Sequence, residues 1–187
     1  QAADRLGNTR IKAASQIVGM FVRLFSAEPG EWSDEMMRTA QGLVPALERE
    51  AAHSELAMAW RLIGDLHGMA GRYKLASEAA EQSLRRARLA GHSRLVAKIG
   101  AKLSLTALLG PTPVPQAIEQ CERLLADGLS DRRVEGKLLC TLAQLKAMNG
   151  ELGAARQLYR RGRAMLRELG HGVLVASTGI DVALVEL

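Results

Sequence analysis

The chain has 187 residues, enough for one domain with a sizeable core. Apolar residues make up 48% of it and charged residues 24%, as in ordinary globular proteins, and the formal net charge of +5 permits an anionic partner without requiring one. No apolar run reaches the roughly 18 residues of a membrane span and no signal peptide opens the chain, so we expect a cytoplasmic protein with no membrane partner.

Helix is the secondary structure that this composition favours. Aromatic residues are only 3% of the chain, β-branched residues are sparse, and Ala, Leu, Arg and Glu are abundant. Because Ala and unbranched side chains lose little freedom in a helix, the sequence predicts an all-α fold. The chain opens on QAADRLG, without Met, and closes on the apolar GIDVALVEL. We therefore expect a fragment of a longer protein.

The boundaries between successive helical patterns recur at a nearly fixed interval. These joints fall at Asn8, His53, His92, Asp131 and His171, with spacings of 45, 39, 39 and 40 residues. A period of about 40 residues is typical of a solenoid of helical repeats. At three joints a glycine suited to a left-handed helix end precedes a polar residue suited to starting the next helix. These glycines are Gly7, Gly91 and Gly170.

A second break divides each repeat into two helices joined by a short turn. It falls at Gly71, Gly110 and Gly150, and at the segment SAEPGEWSDE in the first repeat. The sequence thus predicts one domain of about four helix-turn-helix repeats plus a partial fifth. The approximate units are 8–52, 53–91, 92–130, 131–170 and the partial 171–187.

Apolar residues three and four apart predict a buried stripe on the first helix of each repeat, with small residues where two helices cross. We expect Gly64 and Ala143 to be buried at such crossings. Pro45 lies inside the second helix of the first repeat, which it should kink or shorten. The corresponding stripe positions are Trp60, Ile63 and Gly64, then Leu139, Leu142 and Ala143, with Val18 and Gly19 in the first repeat.

The stretch AWRLIGDLHGMAGRYKLASEAAEQSL resembles a tetratricopeptide repeat. His67 stands where that family usually has an aromatic residue, and the period here exceeds the family's roughly 34 residues, so these are elongated variants. The resemblance implies a right-handed superhelix, an α-solenoid of elongated repeats. The residues that match the family's spacing are Trp60, Ile63, Gly64, Gly71, Tyr73, Ala76 and Ala80.

The segment LGPTPVPQAIEQCERLLAD and the repeat that follows it are similar to a narrower group. This group is the carboxy-terminal repeat region of large bacterial regulators, which carry an adenylate or guanylate cyclase domain, or a transcriptional-activator domain, before a STAND-type ATPase. The resemblance covers nearly all of the chain and implies a regulatory role in signal transduction. No cyclase or ATPase residues fall within this sequence.

The histidines do not form a catalytic or metal-binding set. Three of them, His53, His92 and His171, share the joint position that Asn8 and Asp131 occupy elsewhere, so their recurrence indicates helix starts. The fourth histidine, His67, has no cysteine or carboxylate at the spacing of a metal ligand. We expect this chain to have no enzyme activity, cofactor or metal site.

The two cysteines, Cys121 and Cys140, lie inside helical patterns. We interpret them as small buried hydrophobic residues in a reducing compartment. The loop GPTPVPQ is interpreted as a turn stiffened by proline, after which Pro115 begins a helix, with a recognition loop as the alternative.

Arginines cluster towards the ends of two second helices. We favour a solvated face near helix carboxyl ends, where cations complement the helix dipole. The alternative is contact with nucleic acid or an acidic protein surface, but no aromatic residues interleave the arginines for base stacking. The arginines are Arg85, Arg86, Arg88, Arg156, Arg160, Arg161, Arg163 and Arg167.

The first helices of stacked repeats line the inner side of a solenoid, so they predict a partner groove. Its mixture of polar groups, single charges and methionines suits a peptide or helix, and the alternative is a groove that is solvated or filled by neighbouring repeats. By analogy with tetratricopeptide repeats, the groove residues are Gln16, Met20, Arg23, Met58, Arg61, Asp65, Ser104, Lys137, Cys140 and Gln144.

These patterns favour a non-catalytic protein–protein interaction and regulatory scaffold of a larger bacterial signalling protein. The expected partner is a protein, a peptide or another domain of the same chain. A nucleic-acid-binding repeat and a solenoid that senses a small-molecule effector are the alternatives. Residues 171–187 are apolar and lack a polar cap, so we also expect self-association through them. The apolar residues are Val173, Leu174, Val175, Ile180, Val182 and Leu184.

Overall fold

A computed structural model of the chain describes residues 2–26, 32–128 and 131–186, which form ten α-helices and no strand. The all-α prediction is confirmed. None of the described helices combines the length and the apolar character needed to cross a bilayer. The helices are α1 (Ala2–Ser26), α2 (Trp32–Arg49), α3 (His53–Met69), α4 (Tyr73–Leu89), α5 (Ser93–Leu109), α6 (Val114–Ala126), α7 (Arg132–Met148), α8 (Leu152–Glu168), α9 (Gly172–Ser177) and α10 (Gly179–Glu186).

The chain divides into two compact units, residues 1–96 and 97–187. In the first unit, α1 packs on α2 and α3, and both α2 and α4 pack on α3. In the second unit, α6 and α8 pack on α7, while α9 and α10 pack on α8 and on each other. From α1 to α4 in the first unit and from α6 to α10 in the second, each helix thus packs on the next one along the chain, as expected for helical repeats.

Helix ends after residue 50 follow the predicted joints. Gly91 and Gly170 take left-handed φ values of +66° and +74°, which favour glycine, and helices begin within three residues of each. Gly7 differs, because α1 continues through it, and the joint predicted at Gly7 and Asn8 is wrong. A single glycine costs a helix only about 1 kcal/mol, which does not suffice to end it.

The turns inside the repeats also fall where glycine predicts them. Gly71 and Gly150 have φ values of +70° and +82° between the helices of their hairpins. Gly110 follows α5, and Pro115 lies in the first turn of α6 as expected. In the first repeat, residues 27–31 of the predicted turn lie outside the described residues.

Pro45 does not shorten its helix. The second helix of the first repeat continues past it to Arg49, so the expected shortening is wrong. Pro45 is exposed near the carboxyl end, and so is Gln41, whose carbonyl loses its amide donor there. Water can satisfy an exposed carbonyl, so the missing hydrogen bond is tolerated.

The buried stripe of α1 is displaced by one residue from the prediction. Val18 is 50% exposed, and a Cβ at Gly19 would meet no atom within 4 Å. The expected register was counted from the joint at Asn8, which the structure lacks, and this explains the error. The residues of α1 that enter the core of the first unit are Ala13, Ile17, Met20 and Leu24.

Small residues bring the helices of each hairpin close together. Gly64 is buried where α3 crosses α4, and a Cβ there would lie 3.3 Å from the carbonyl oxygen of Ala76. Ala143 of α7 is fully buried in a cluster with Ala155 of α8. The burial predicted for Gly64 and Ala143 is confirmed.

A still closer crossing between α7 and α8 was not predicted. A Cβ on Gly162 would lie 2.8 Å from the carbonyl oxygen of Gly136 and 2.9 Å from Cys140 Sγ. The positions 79 residues earlier hold Ser83 and Ala57, and there the Ser83 hydroxyl donates a 2.6 Å hydrogen bond to the Ala57 carbonyl. The same helix crossing therefore contains different residues in the two hairpins. The α3–α4 hairpin has a buried hydroxyl there, and the α7–α8 hairpin has a pair of glycines.

Candidate binding site

A cavity of about 200 Å³ lies within the second unit, where α5, α7 and α8 meet the α9–α10 segment. Apart from α8, these elements are first helices of successive predicted repeats, so the cavity lies on the face expected to bind a partner. The residues that line it, here called the cavity residues, are Leu105, Leu108, Lys137, Cys140, Thr141, Gln144, Leu166, Leu174, Ser177, Thr178 and Asp181.

One face of α7 supplies the first wall. Cys140 and Thr141 lie three and four residues after Lys137, and Gln144 lies four and three residues after them, which places all four on the same side of the helix. Three of them, Lys137, Cys140 and Gln144, are among the residues that the sequence analysis assigns to a partner groove, and that assignment stays a prediction. Lys137 is exposed, Cys140 is buried and Gln144 is half-buried, so this wall grades from solvent to core.

The α9–α10 segment supplies a polar wall. The Ser177 hydroxyl donates to the Leu174 carbonyl oxygen at 2.8 Å, and the Thr178 hydroxyl donates to the Val175 carbonyl oxygen at 2.8 Å. Both hydroxyl protons are thereby used, so these oxygens can act only as acceptors towards a ligand. Asp181 adds a carboxylate, which is also an acceptor. This wall therefore suits a hydrogen-bond donor.

Lys137 and Asp181 are the two charged side chains that line the cavity. Neither side chain has an ion pair or hydrogen bond to any residue in the described part of the chain. By contrast, Lys146, two turns further along α7, pairs with Glu122 and Glu151 at 3.1 Å each. The cavity thus presents a cation and an anion from different walls, each available to a ligand.

The remaining walls are apolar and do not react. Leu105, Leu108, Leu166 and Leu174 provide aliphatic surface. Burial raises the pKa of Cys140 from 9.0 to about 11, so its thiol stays protonated at neutral pH. The cysteine therefore serves as a small apolar wall, as the sequence predicted, and offers no nucleophile.

Tyr159 lies behind Cys140 in the same hydrophobic cluster. Its hydroxyl is buried without a hydrogen-bond partner among the described residues. Burial raises the pKa of Tyr159, and the negative charge of Asp181 raises it further. The phenol is therefore neutral at neutral pH.

The groove residues predicted in the first unit are divided between surface and core. Gln16 and Arg23 are exposed, whereas Met20 is buried and Met58 is half-buried against the core. In the second unit, Ser104 is also buried, and its hydroxyl donates to the Ala101 carbonyl at 2.8 Å. Met20 and Ser104 therefore present no surface to a partner, because each faces the packed side of its helix.

Arg61 and Asp65 are already paired with each other. The Arg61 Nε atom lies 3.8 Å from Asp65 Oδ2, and its guanidinium carbon lies 4.7 Å from the centroid of the Phe21 ring. Arg61 thus combines an ion pair with a cation–π contact. Its charge is less available to a partner than that of Lys137.

Several of the clustered arginines form intramolecular ion pairs. Arg86 Nη2 lies 2.9 Å from Glu48 Oε1, and Arg161 Nη2 lies 3.0 Å from Glu135 Oε1. Arg85 approaches Glu81 at 3.9 Å. These contacts favour the interpretation of the arginines as a solvated face over the nucleic-acid alternative. A guanidinium that is already paired with a carboxylate is less available to a phosphate.

The histidines remain dispersed, and no group of three metal-ligating residues occurs within the described ranges. His53 begins α3, and His171 precedes α9 without a capping hydrogen bond from its side chain. Burial, with a smaller effect from Arg72, lowers the pKa of His67 and favours its neutral form. These positions agree with structural roles.

The sequence missed the α9–α10 wall of the cavity. The apolar residues of 171–187 predict a surface for self-association, and that prediction does not include Ser177, Thr178 or Asp181. The sequence does contain a signal for this wall, because the two hydroxyls and the carboxylate interrupt an otherwise apolar segment. No model of a known protein family matches this chain, and a comparison with curated proteins found no match.

Proposed function

We propose that the chain is a non-catalytic interaction and regulatory module that binds its partner on the first-helix face of the second unit. The observation that carries this proposal is the cavity, where Lys137 and Asp181 present unpaired charges beside leucine side chains. Interaction sites commonly combine an apolar pocket with a few polar groups that set orientation. The partner is a protein, a peptide or another domain of the same polypeptide.

The resemblance to bacterial cyclase-linked and STAND-type regulators supports a regulatory setting in the cytoplasm. In that setting, docking on this face would bias a catalytic domain, because a ligand shifts an equilibrium only through its different affinities for two states. The chain itself would show no turnover. Its effect would be measured on the domain with which it is linked.

A comparison of two faces tests this function. Peptides selected from a random library displayed on phage would be measured against the parent chain and against Lys137→Glu. We expect binding to fall at least about tenfold, since a charge-assisted contact is lost and replaced by repulsion. Lys98→Glu is the matched control, because Lys98 is exposed on α5 and is not a cavity residue.

Reversal of Arg160 and Arg161 on α8 examines the outer face in the same assay. We expect these changes to leave peptide binding within about twofold, since exposed substitutions outside an interface have small effects. If reversal of the outer arginines abolished peptide binding while Lys137→Glu left it unchanged, the proposed interaction face would be wrong. A duplex DNA probe at low and high salt would then measure the nucleic-acid alternative.

The cavity also favours a second candidate function, the sensing of a small-molecule effector. Its volume of about 200 Å³ is below the roughly 300–1,000 Å³ of sites for drug-sized ligands. An effector of this size would bridge α7 and the α9–α10 segment. It would thereby fix the position of the final helices.

A further inference from the structure

We propose that the cavity of the second unit binds a small zwitterion of the α-amino-acid type with an aliphatic side chain. This inference rests on the effector-sensing role proposed above and names the chemical class of the effector. Such a ligand carries an ammonium group, a carboxylate and a branched hydrocarbon chain. Each of the three has a matching wall in the cavity.

The ammonium group matches the α9–α10 wall. Asp181 supplies a negative charge, and the oxygens of Ser177 and Thr178 are confined to accepting because their protons bond backbone carbonyls. An ammonium group has three donors and no acceptor. A wall of acceptors that includes a carboxylate therefore favours an ammonium group over a neutral hydroxyl, which has one donor and no charge, and it disfavours a carboxylate, which has no donor.

The carboxylate matches the α7 wall. Lys137 is a cation without an ion-pair partner in the described residues, and the Gln144 amide likewise has no hydrogen bond there. Thr141 uses its proton on the Lys137 carbonyl oxygen at 3.2 Å, which leaves Lys137 and Gln144 as the donors. A carboxylate accepts from both, and its contact with the lysine is charge-assisted.

The size and the apolar walls limit the side chain. A cavity of roughly 150 Å³ holds one benzene molecule, so about 200 Å³ has room for a short branched hydrocarbon chain. Leu105, Leu108, Leu166 and Leu174 supply aliphatic contacts, and the protonated Cys140 adds another. Valine and leucine fit these limits better than an aromatic or a longer charged amino acid.

Calorimetric titration with L-leucine tests the inference directly. We expect a dissociation constant below about 1 mM. Two analogues that each lack one charge, 4-methylpentanoate and 3-methylbutylamine, should bind at least about tenfold more weakly, as should glycine, which lacks the hydrocarbon chain. If an analogue bound as tightly as leucine, the charged group that it lacks would not contribute to binding, and the wall assigned to that group would be wrong.

Two variants assign the charges to their walls. Lys137→Met should weaken leucine and 4-methylpentanoate while leaving 3-methylbutylamine unchanged, and Asp181→Asn should weaken leucine and 3-methylbutylamine only. Lys98→Met removes the same charge outside the cavity and should leave every affinity unchanged. Circular dichroism would verify that each variant is folded. A uniform loss in both variants would contradict the proposed orientation.

Absence of leucine and valine binding up to 10 mM by the folded parent chain (roughly 2.7 kcal/mol in affinity terms at that limit) would overturn the inference. Peptide binding that depends on Lys137, measured in the display assay, would in that case leave the docking function standing. Loss of peptide binding with retention of leucine binding would identify an effector site without a docking role. The two proposals can therefore fail separately.

Discussion

Single residues decide how closely the helices of this chain approach. At Gly162 the backbone carbonyl of Gly136 occupies the space that a Cβ would need. Gly42, by contrast, lies on the exposed side of α2, where a Cβ would meet no atom within 4 Å. The same residue type therefore has opposite effects on stability at the two positions. At one it permits a crossing, and at the other it only raises the conformational entropy of the unfolded chain.

We expect Gly162→Ala to destabilise the chain by about 1–3 kcal/mol, because the added methyl group forces apart two backbones that cannot yield locally. Gly42→Ala should stabilise it by about 0.5–1 kcal/mol through helix propensity. Urea unfolding followed by circular dichroism measures both. A Gly162→Ala variant as stable as the parent would show that α7 and α8 are further apart than described.

The two thiols give a second prediction at this scale. Burial raises the pKa of Cys121 to about 12 and that of Cys140 to about 11. Since the thiolate is the nucleophile, alkylation of the folded chain at pH 8 should be at least about 100-fold slower than in denaturant. Iodoacetamide labelling followed by mass spectrometry measures this, and rapid labelling of the folded chain would contradict the burial.

The same shifts make stability depend on alkaline pH. The folded state holds the thiol protons more tightly than the unfolded state, so the stabilisation is complete below pH 9 and decreases as the pH rises towards 11 and 12. The free energy of unfolding should therefore fall above pH 9. A variant with alanine at both positions should lose less stability over that range, and an equal loss would assign the effect to other groups.

Among the elements, α7 has a helix start that differs from those of α4 and α9. The Asp131 side chain accepts hydrogen bonds from the amides of Arg133 at 2.9 Å and Val134 at 3.3 Å. At the starts of α4 and α9, the preceding residues Arg72 and His171 make no such bond. The helix that carries one wall of the cavity is thus anchored by its own cap.

We expect Asp131→Ala to destabilise the chain by about 1 kcal/mol, because two amides of the first turn lose their acceptor. Arg72→Ala is the control at an equivalent position without a capping bond, and it should change stability by less than about 0.5 kcal/mol. Thermal and urea unfolding measure both. Equal effects would mean that the cap contributes nothing measurable.

At the scale of the whole molecule, most helix boundaries could be predicted from the sequence. Glycine residues at helix ends and the helical periodicity of apolar residues are both local signals. Gly71, Gly91, Gly150 and Gly170 marked left-handed turns that the structure contains. The site was predicted less completely. Lys137, Cys140 and Gln144 lie on one helix and could be identified from spacing, whereas Asp181 joins them only through tertiary packing, which periodicity does not encode.

Self-association through residues 171–187 remains a prediction, but fewer of the apolar residues there are exposed than the sequence predicts. Val175 is buried, and Leu174 and Val182 pack against the core of the second unit, while Val173 is 84% exposed. The side chains of Ile180 and Leu184 lie outside the described residues. Sedimentation at high concentration should show a dimer that Val173→Lys weakens. A monomer throughout the concentration range would contradict the prediction.

The contrasting crossings of the two hairpins have a consequence for recombination among repeats. The pair of Ala57 with Ser83 and the pair of Gly136 with Gly162 are each matched within one hairpin. A chimera that moved α8 into the place of α4 would leave the Ala57 carbonyl without its hydroxyl donor. One that placed α4 after α7 would press a serine against the Gly136 backbone. The unit that can be exchanged between repeats is therefore the complete hairpin, because exchange of a single helix would destabilise the crossing.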